Sequence, residues 1–236
     1  MNSYSIVRPE VLTGSEAVLD VPDYPAVTSG SRRPIPSGYR LFLRECLRSF
    51  RSTASVIPSS RFLSAALLEP IDFDAARVVV ELGPGTGAIT AEILRRLRPD
   101  ARLIAVERNH RFVSHLKRCE DPRLILVHGS AESLRSQLSS HGIRSREVHA
   151  IVSSLGLTAM PPKQRDSILR QARACLSPAG TMTQYQYITS FAGQGDGARL
   201  SLHKFRAGEF LQNYFQDVTV RRIYLNFPPA RVFACR

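Results

Sequence analysis

Residues 77–90 read RVVVELGPGTGAIT, and this stretch decides the fold of the chain. Val78–Val80 form a short apolar run without a turn residue, which is typical of a buried strand. Glu81 and Leu82 close the strand, alternating glycines follow, and residues 88–98 are good helix formers with apolar side chains on one side. A strand, a glycine turn and a helix in this order predict the first half of a nucleotide-binding βαβ unit.

Two classes of cofactor bind at such a turn. A dinucleotide site requires GxGxxG or GxGxxA, a spacing that Gly83, Gly85 and Ala88 fit. An S-adenosylmethionine (SAM) site instead has an acidic residue followed by alternating glycines. The matching residues here are Glu81, Gly83, Gly85 and Gly87. SAM has no phosphate to bind at a helix N-terminus. Its methionine ammonium instead needs an acid nearby, and its methionine part must lie against bare glycines. The pattern therefore favours SAM over a dinucleotide or a turn without a ligand.

A second cofactor signal follows in the next predicted strand, Leu103–Glu107, which reads LIAVE and ends in an acid. Glu107 lies 20 residues after Gly87. A carboxylate near this spacing meets the ribose hydroxyls of the cofactor in βαβ sites. We therefore expect Glu107 to bind ribose, with an ordinary surface glutamate as the alternative.

A third strand, LILVH at residues 124–128, is followed by Gly129, Ser130 and Ala131. This corner lies beside the adenine in SAM sites, and an acid commonly follows the glycine there. Ser130 stands at that position in this chain. We assign Ser130 and Ala131 to the cofactor site, and Glu132 or the N–H of Ala131 could take the role of the missing acid.

Charge and composition limit the possible partners. The chain of 236 residues has a net charge of +12, which predicts an anionic partner, either nucleic acid or an acidic membrane surface. Its apolar runs are far shorter than the roughly 20 residues of a transmembrane helix, and no secretory signal is evident. The cysteines are scattered and lack CxxC spacing, so we expect reduced thiols and no metal site.

The N-terminal third divides into two parts. Residues 1–38 contain many prolines and serines without periodicity, so we expect a flexible arm. Residues 39–69 predict helices that precede the domain of residues 70–236. Projected at about 100° per residue, the first helix has an apolar arc beside a basic arc. The apolar arc contains Phe42, Leu43, Leu47 and Phe50. The basic arc contains Arg40, Arg44, Arg48 and Arg51.

This amphipathic pattern, over residues 39–53, is typical of an interfacial helix that lies on anionic lipid. Two alternatives stay open. The apolar arc could cover the core of the protein itself, or the basic arc could bind nucleic acid.

The rest of the chain alternates strands with helices. Val148–Ser153 is a fourth predicted strand, Pro162 opens a helix, and Thr181–Ile188 is a fifth strand. Residues 218–224 and 231–234 form a closing pair. Five strands alternating with helices predict a parallel sheet, and the closing pair predicts an antiparallel edge. We predict an α/β, Rossmann-like class I methyltransferase fold with a seven-stranded, mostly parallel sheet.

Three further segments carry a family resemblance. They are FLRECLRSFRSTASVIPSSRFL at residues 42–63, SSLGLTAMPPKQRDSILRQARACLSPAGTMTQYQY at residues 153–187, and NFPPARVFACR at residues 226–236. Together with the glycine turn, these segments resemble the soluble bacterial phospholipid N-methyltransferases, a family with a SAM-dependent methyltransferase domain. The resemblance covers nearly everything except the N-terminal arm.

The glycine turn and Glu107 are also similar to those of rRNA adenine dimethyltransferases. Those enzymes carry an N-L-P-Y-type tetrad after the fourth strand. Residues 154–157 read SLGL here and lack both the amide and the aromatic ring, so a flipped base would lose its expected contacts.

The resemblance implies N-methylation of an amine-headgroup lipid, with phosphatidylethanolamine expected first. Methylation of another aminolipid such as ornithine lipid, N6-methylation of rRNA adenine, and a SAM-fold protein without catalysis are the alternatives. The expected setting is cytoplasmic and peripheral on the inner membrane surface. We expect the chain to bind anionic membrane rather than nucleic acid and to act as a monomer.

Residues at the ends of the fourth and fifth strands are candidates for the substrate site, and among them the resemblance points more to Tyr187. Tyr187 is expected to pack its ring against the growing ammonium of the substrate. Tyr185 shares its strand face and the same expected role, with core packing as the alternative. Ser153 ends the fourth strand and is expected to line the methyl-transfer site.

Overall fold

The computed structural model describes residues 61–188, 205–226 and 228–236. In this part of the chain, seven strands form one sheet in the order β3-β2-β1-β4-β5-β7-β6. The strands are β1 (Val78–Leu82), β2 (Arg102–Glu107), β3 (Leu124–His128), β4 (Val148–Ser153), β5 (Leu176–Tyr187), β6 (Val218–Ile223) and β7 (Ala230–Cys235). The first five strands are parallel, and β7 is antiparallel to both of its neighbours, which confirms the predicted fold.

Six helices pack against this sheet within the described residues. They are α1 (Arg61–Leu68), α2 (Ala88–Arg96), α3 (His110–Leu116), α4 (Leu134–Ser140), α5 (Pro162–Cys175) and α6 (Ala207–Leu211). Short 3-10 turns at Ala131–Ser133 and Leu157–Ala159 precede α4 and α5. None of the helices in the described ranges is long and apolar enough to cross a bilayer.

Both faces of the sheet are buried, which explains why its central strands read as continuous apolar runs. Val78, Val80 and Leu82 lie on the face that α4, α5 and α6 cover. Val79 lies on the opposite face, in a cluster with residues of α1 and α2. This alternation follows from the two-residue period of a strand, and it also puts Glu81 on the α1 and α2 side.

Helix α1 belongs to the core of this sheet. Its residues Leu63, Leu67 and Leu68 are buried, and the helix packs against β5, β6, β7 and α2. A helix at Arg61–Leu68 agrees with the helices predicted within residues 39–69. Two predicted features lie outside the described residues: the arm of residues 1–38, and the amphipathic helix of residues 39–53 with its apolar and basic arcs.

Strand β5 begins earlier than the sequence indicates. We expected the fifth strand to start at Thr181, yet β5 already pairs with β4 at Leu176. The partner of Leu176 is Val148 and the partner of Thr181 is Ala150, so the register shifts across this stretch. An added Cβ at Gly180 would lie 2.9 Å from the carbonyl oxygen of Val148, so the close approach of the two strands requires glycine.

The carboxyl ends of the parallel strands meet at one edge of the sheet, here called the carboxyl edge. Strand β1 ends there at Leu82, β2 at Glu107, β4 at Ser153 and β5 at Tyr187. In open α/β sheets ligands bind in the crevice outside this edge. The connection from β6 to β7 reaches the same edge, because the ends of these strands pair in register with Tyr187.

Candidate functional site

The glycine turn between β1 and α2 forms the floor of the crevice. Gly83, Gly85 and Gly87 have φ angles of +72°, +56° and +84°, a region that favours glycine over residues with a side chain. The N–H of Gly83 donates to the carbonyl of Val106 at 3.0 Å, which ties the turn to β2. A Cβ added at Gly85 would meet no atom within 4 Å, so bare backbone here faces open space that a ligand can fill.

Glu107 lies directly against this turn. The N–H of Gly85 donates to its Oε2 at 3.1 Å, and the N–H of Asn109 donates to its Oε1 at 2.8 Å. Burial raises the pKa of this carboxyl, while the backbone N–H groups of Asn109 and Gly85 partly oppose that rise. A carboxylate has about four lone-pair positions, so Glu107 retains acceptors for the two ribose hydroxyls assigned to it.

Glu81 lies beneath the turn and is fully buried. Its Oε2 accepts the hydroxyl of Thr90 in α2 at 2.6 Å, and its Oε1 has no hydrogen-bond partner within the described ranges. Burial raises its pKa to about 8, the Thr90 hydrogen bond lowers it, and the charge of Glu107 raises it. A buried acceptor without a donor is costly, so a cationic ammonium at this point would be stabilised. The acid therefore fits the methionine end of SAM.

At the corner after β3, Ser130 and Glu132 are joined by hydrogen bonds. The hydroxyl of Ser130 accepts the N–H of Glu132 at 3.3 Å and caps the short 3-10 turn, while Ala131 is buried. The acid at this corner is Glu132, whose Oε2 accepts from the hydroxyl of Ser130 at 3.3 Å and from the amide of Gln164 at 2.9 Å. Ser130 thus positions the carboxylate of Glu132, which is the alternative acid named for this corner.

The end of β4 touches the glycine turn. Ser153 is fully buried, and the N–H of Leu155 approaches its hydroxyl oxygen at 3.4 Å. The N–H of Ser154 donates to the carbonyl of Leu82, and a Cβ on Gly83 would lie 2.9 Å from a methyl carbon of Leu155. The buried hydroxyl of Ser154 has no partner within the described ranges. Ser154 directly follows the end of β4, and this position could have identified it, like Ser153, as a candidate residue of the site.

The two tyrosines of β5 lie on one strand face, as their alternation predicts. Their ring centroids are 5.4 Å apart in an edge-to-face arrangement. Tyr185 is buried in the cluster on the α1 and α2 face, whereas Tyr187 is half-buried at the carboxyl edge. Burial and packing suit Tyr185 to a supporting role, and the position of Tyr187 at the edge suits it to contact a substrate.

One arginine beside this edge was missed by the sequence reasoning. The guanidinium carbon of Arg165, in the first turns of α5, lies 4.3 Å from the ring centroid of Phe205 and 5.5 Å from that of Phe210. Burial lowers its pKa, and its Nε and Nη1 atoms have no acceptor within the described ranges. Cation–π contacts with two rings hold this buried guanidinium in place. Only the structure brings residues 165 and 205 together, so no local pattern identifies the pair.

Comparison with known proteins agrees with this geometry. Residues 79–180 match the family described as a methyltransferase domain. The chain is 31% identical over 198 residues to the ornithine lipid N-methyltransferase of Singulisphaera acidiphila, covering 83% of this chain and 94% of that protein. The chain belongs to the class I SAM-dependent methyltransferases. A shorter match, 33% over 75 residues, links this methyltransferase to ribosomal RNA small subunit methyltransferase H of Burkholderia vietnamiensis and covers 23% of that protein.

Solved structures of other methyltransferases share the fold at low sequence identity. The precorrin-6y C5,15-methyltransferase of Geobacter metallireducens superposes with a TM-score of 0.55 at 16% identity, over 78% of this chain and 93% of that one. A second structure is that of the 1,6-didemethyltoxoflavin-N1-methyltransferase of Burkholderia thailandensis, which contains S-adenosylhomocysteine. It superposes with a TM-score of 0.55 at 19% identity, over 91% of this chain and 98% of that one. SAM is therefore the cofactor of this methyltransferase, and it supplies a methyl group on a sulfonium.

The first prediction concerns Glu107. We expect Glu107→Gln to weaken SAM binding by about tenfold, because a hydrogen bond to a charged acceptor contributes roughly 1.5–3 kcal/mol. Calorimetric titration with SAM measures the loss, and Glu120→Gln, an exposed acid before β3, is the matched control. A SAM analogue without the ribose 2′-hydroxyl should lose more affinity, relative to SAM, for the wild-type protein than for the Glu107→Gln variant. An unchanged SAM dissociation constant would remove Glu107 from the site.

The second prediction concerns Glu81 in the cofactor-free protein. Its pKa rises from 4.5 to about 8 on folding, so between these values the folded state holds a proton that the unfolded state has lost. The free energy of unfolding should therefore fall as pH rises through this window, by about 1.4 kcal/mol per pH unit from this group. Glu81→Gln removes the titration, and urea unfolding at several pH values should show a flatter profile.

Glu92→Gln provides the control for that experiment. Glu92 lies on α2, where burial tends to raise its pKa but hydrogen bonds and charges from Arg95 and Arg96 lower it overall. Loss of the Glu92 carboxylate should lower the free energy of unfolding at neutral pH, while that free energy should still fall as pH rises. A slope that survives unchanged in Glu81→Gln would show that Glu81 is ionised in the folded protein.

Proposed function

We propose that this methyltransferase transfers methyl groups to the amine of a membrane aminolipid. The observation that carries the proposal is the match to the Singulisphaera acidiphila enzyme over 94% of that protein's length. The match extends beyond the 79–180 region of the general methyltransferase domain. Segments outside that region commonly distinguish substrates, because function resides in sites that differ among proteins with one fold. Ornithine lipid and phosphatidylethanolamine are the two candidate substrates, and the relative's name favours the first.

The residues at the carboxyl edge suit transfer to a neutral amine. Ser153 ends β4 and Ser154 follows it, while Gln184, Tyr185, Gln186 and Tyr187 form the last part of β5. These side chains are polar but uncharged, so they can orient an amine without retaining its proton through an ion pair. The amine loses that proton to solvent before attack, and positioning against the donor supplies much of the barrier reduction. The ring of Tyr187 then stabilises the positive charge that develops on nitrogen.

A membrane location follows from the same proposal. The net charge of +12 favours an anionic surface, and the amphipathic pattern of residues 39–53 suits a helix in the interface. We propose a monomer on the cytoplasmic surface of the inner membrane. Methylation of rRNA is the second candidate, which the short match to the ribosomal RNA enzyme favours. The SLGL sequence at residues 154–157 counts against it, because the expected base contacts are missing.

The third prediction identifies the substrate. Purified protein and SAM are incubated with phosphatidylglycerol vesicles that contain either ornithine lipid or phosphatidylethanolamine, and the lipids are analysed by mass spectrometry. We expect added methyl groups on one of the two aminolipids. A parallel reaction with ribosomal RNA tests the alternative. Methylation of RNA and of neither lipid, by protein that binds SAM, would overturn the lipid proposal.

The fourth prediction tests the helix of residues 39–53. An arginine near an anionic membrane contributes about 1 kcal/mol to the free energy of membrane binding. Replacing four of them should therefore weaken vesicle binding by up to about 4 kcal/mol before salt screening. We expect vesicle binding and lipid methylation to fall together, while SAM binding is retained. The variant combines Arg40→Gln, Arg44→Gln, Arg48→Gln and Arg51→Gln.

A second variant with the same change in charge controls for long-range electrostatics. It replaces exposed arginines elsewhere on the chain by glutamine, namely Arg118, Arg144, Arg146 and Arg173. If the first variant methylates vesicle lipid at the wild-type rate, the 39–53 helix is not the anchor.

A further inference from the structure

The large hydrophobic side chains that the described residues leave exposed are concentrated in one place. Val220 in β6 is 59% exposed, and Tyr224 and Leu225, just after that strand, are 66% and 68% exposed. Tyr224 and Leu225 are adjacent in sequence and are here called the tip. Exposed apolar residues that cluster, rather than occur singly, mark a surface that binds a partner.

The tip stands at the carboxyl edge of the sheet. Ile223 pairs with Ala230, and Ala230 pairs with Tyr187, so the chain leaves the sheet at the point where β5 ends. The N–H of Ile188 donates to the carbonyl of Pro229 at 2.8 Å, which ties the loop to the end of β5. The tip therefore lies on the side of the molecule that carries the glycine turn and Tyr187.

The loop behind the tip is anchored. Asn226 is buried, and its side-chain amide donates to the carbonyl of Pro228 at 2.7 Å. The next residue inward, Ile223, is buried in the core cluster shared with α1. The exposed pair thus lies between two buried residues, Ile223 and Asn226.

Two arginines next to the tip form a like-charge pair. Arg222 and Arg231 are direct cross-strand partners in β6 and β7, an arrangement that is destabilising when nothing neutralises it. Neither forms a salt bridge within the described part of the chain, whereas their neighbour Arg221 pairs with Glu69. Two adjacent guanidinium groups without a carboxylate partner are complementary to phosphate anions.

Protection of a sheet edge accounts for only part of this pattern. Strand β6 is an edge strand, and charged side chains on an edge discourage pairing with other molecules. That role explains the arginines. It does not explain the tip, because an exposed tyrosine and leucine on an edge increase the risk of association. Tyrosine with aliphatic side chains and nearby arginines is instead the composition of a surface that lies in a membrane interface.

We propose that the tip and the Arg222–Arg231 pair form a docking surface for an anionic lipid bilayer. Tyr224 and Leu225 enter the headgroup region, and the two guanidinium groups contact lipid phosphates. The inference rests on the proposed lipid function, but it uses other residues than the 39–53 helix. Docking in this orientation turns the carboxyl edge, with the cofactor turn and Tyr187, toward the lipid.

The chain contains no tryptophan, which allows a direct test with the full-length protein. Tyr224→Trp provides a single indole at the tip, and Leu225→Trp provides a second variant if the first does not fold. With vesicles of phosphatidylglycerol and phosphatidylcholine in equal parts, we expect a blue shift of the emission and quenching by brominated acyl chains. The matched control is Glu120→Trp, at an exposed position before β3, which should show neither change.

Emission that stays unshifted while the protein cosediments with the vesicles would overturn the docking surface and favour a protein partner for the tip. The charge pair is tested separately. Arg222→Gln combined with Arg231→Gln should lower partitioning into these vesicles by about tenfold at low salt. Arg144→Gln combined with Arg146→Gln makes the same charge change in an exposed loop before β4. Equal losses in the two variants would mean that only net charge acts, which would also overturn the proposal.

The lipid methylation assay, run on the same samples, separates this inference from the proposed function. A tip that enters vesicles in a protein that methylates no lipid supports the docking surface and counts against the lipid substrate. Lipid methylation by a protein whose tip stays in water supports the lipid substrate and counts against the docking surface. Calorimetry with SAM confirms that each variant is folded.

Discussion

The carboxylate of Glu107 accepts the N–H of Gly85 and the N–H of Asn109, and so joins the glycine turn to the loop that begins α3. The rest of the cofactor site depends on this double contact. A turn with three glycines at positive φ has little conformational preference of its own. One side chain from β2 therefore fixes the shape of a loop that follows β1. The same carboxylate is assigned to ribose, so shaping the turn and binding the cofactor are coupled in one residue.

Glu81 carries an energetic penalty in the protein without a ligand. A fully buried carboxyl with one unpaired oxygen lowers stability, and burial keeps it protonated near neutral pH. The hydroxyl of Thr90 compensates only one of its oxygens. An ammonium group can compensate the other, because its charge favours the ionised acid. We therefore expect an ammonium group that reaches Glu81 to recover part of this energetic penalty.

The sequence predicted the parts of the structure that depend on local chemistry. The glycine turn was predictable because positive φ angles select glycine, and β4 was correct to the residue because an apolar run ends in Ser153. The early start of β5 was not predictable, since it depends on the approach of Gly180 to the carbonyl of Val148. The hydrogen bonds that join Ser130 to Glu132 were also not predicted. Contacts between distant residues, such as Arg165 with Phe205, have no signal in either segment.

The position of β7 has a consequence for the order in which the sheet assembles during synthesis. Strand β7 follows β6 in the chain but lies between β5 and β6 in the described sheet. When β6 emerges from the ribosome, the strand that must join it to the sheet has not yet been made. Until β7 arrives, β5 keeps an open edge of unpaired backbone groups, and such edges are templates for wrong pairing. We therefore expect the nascent chain to be vulnerable to wrong pairing in the interval between the synthesis of β6 and that of β7.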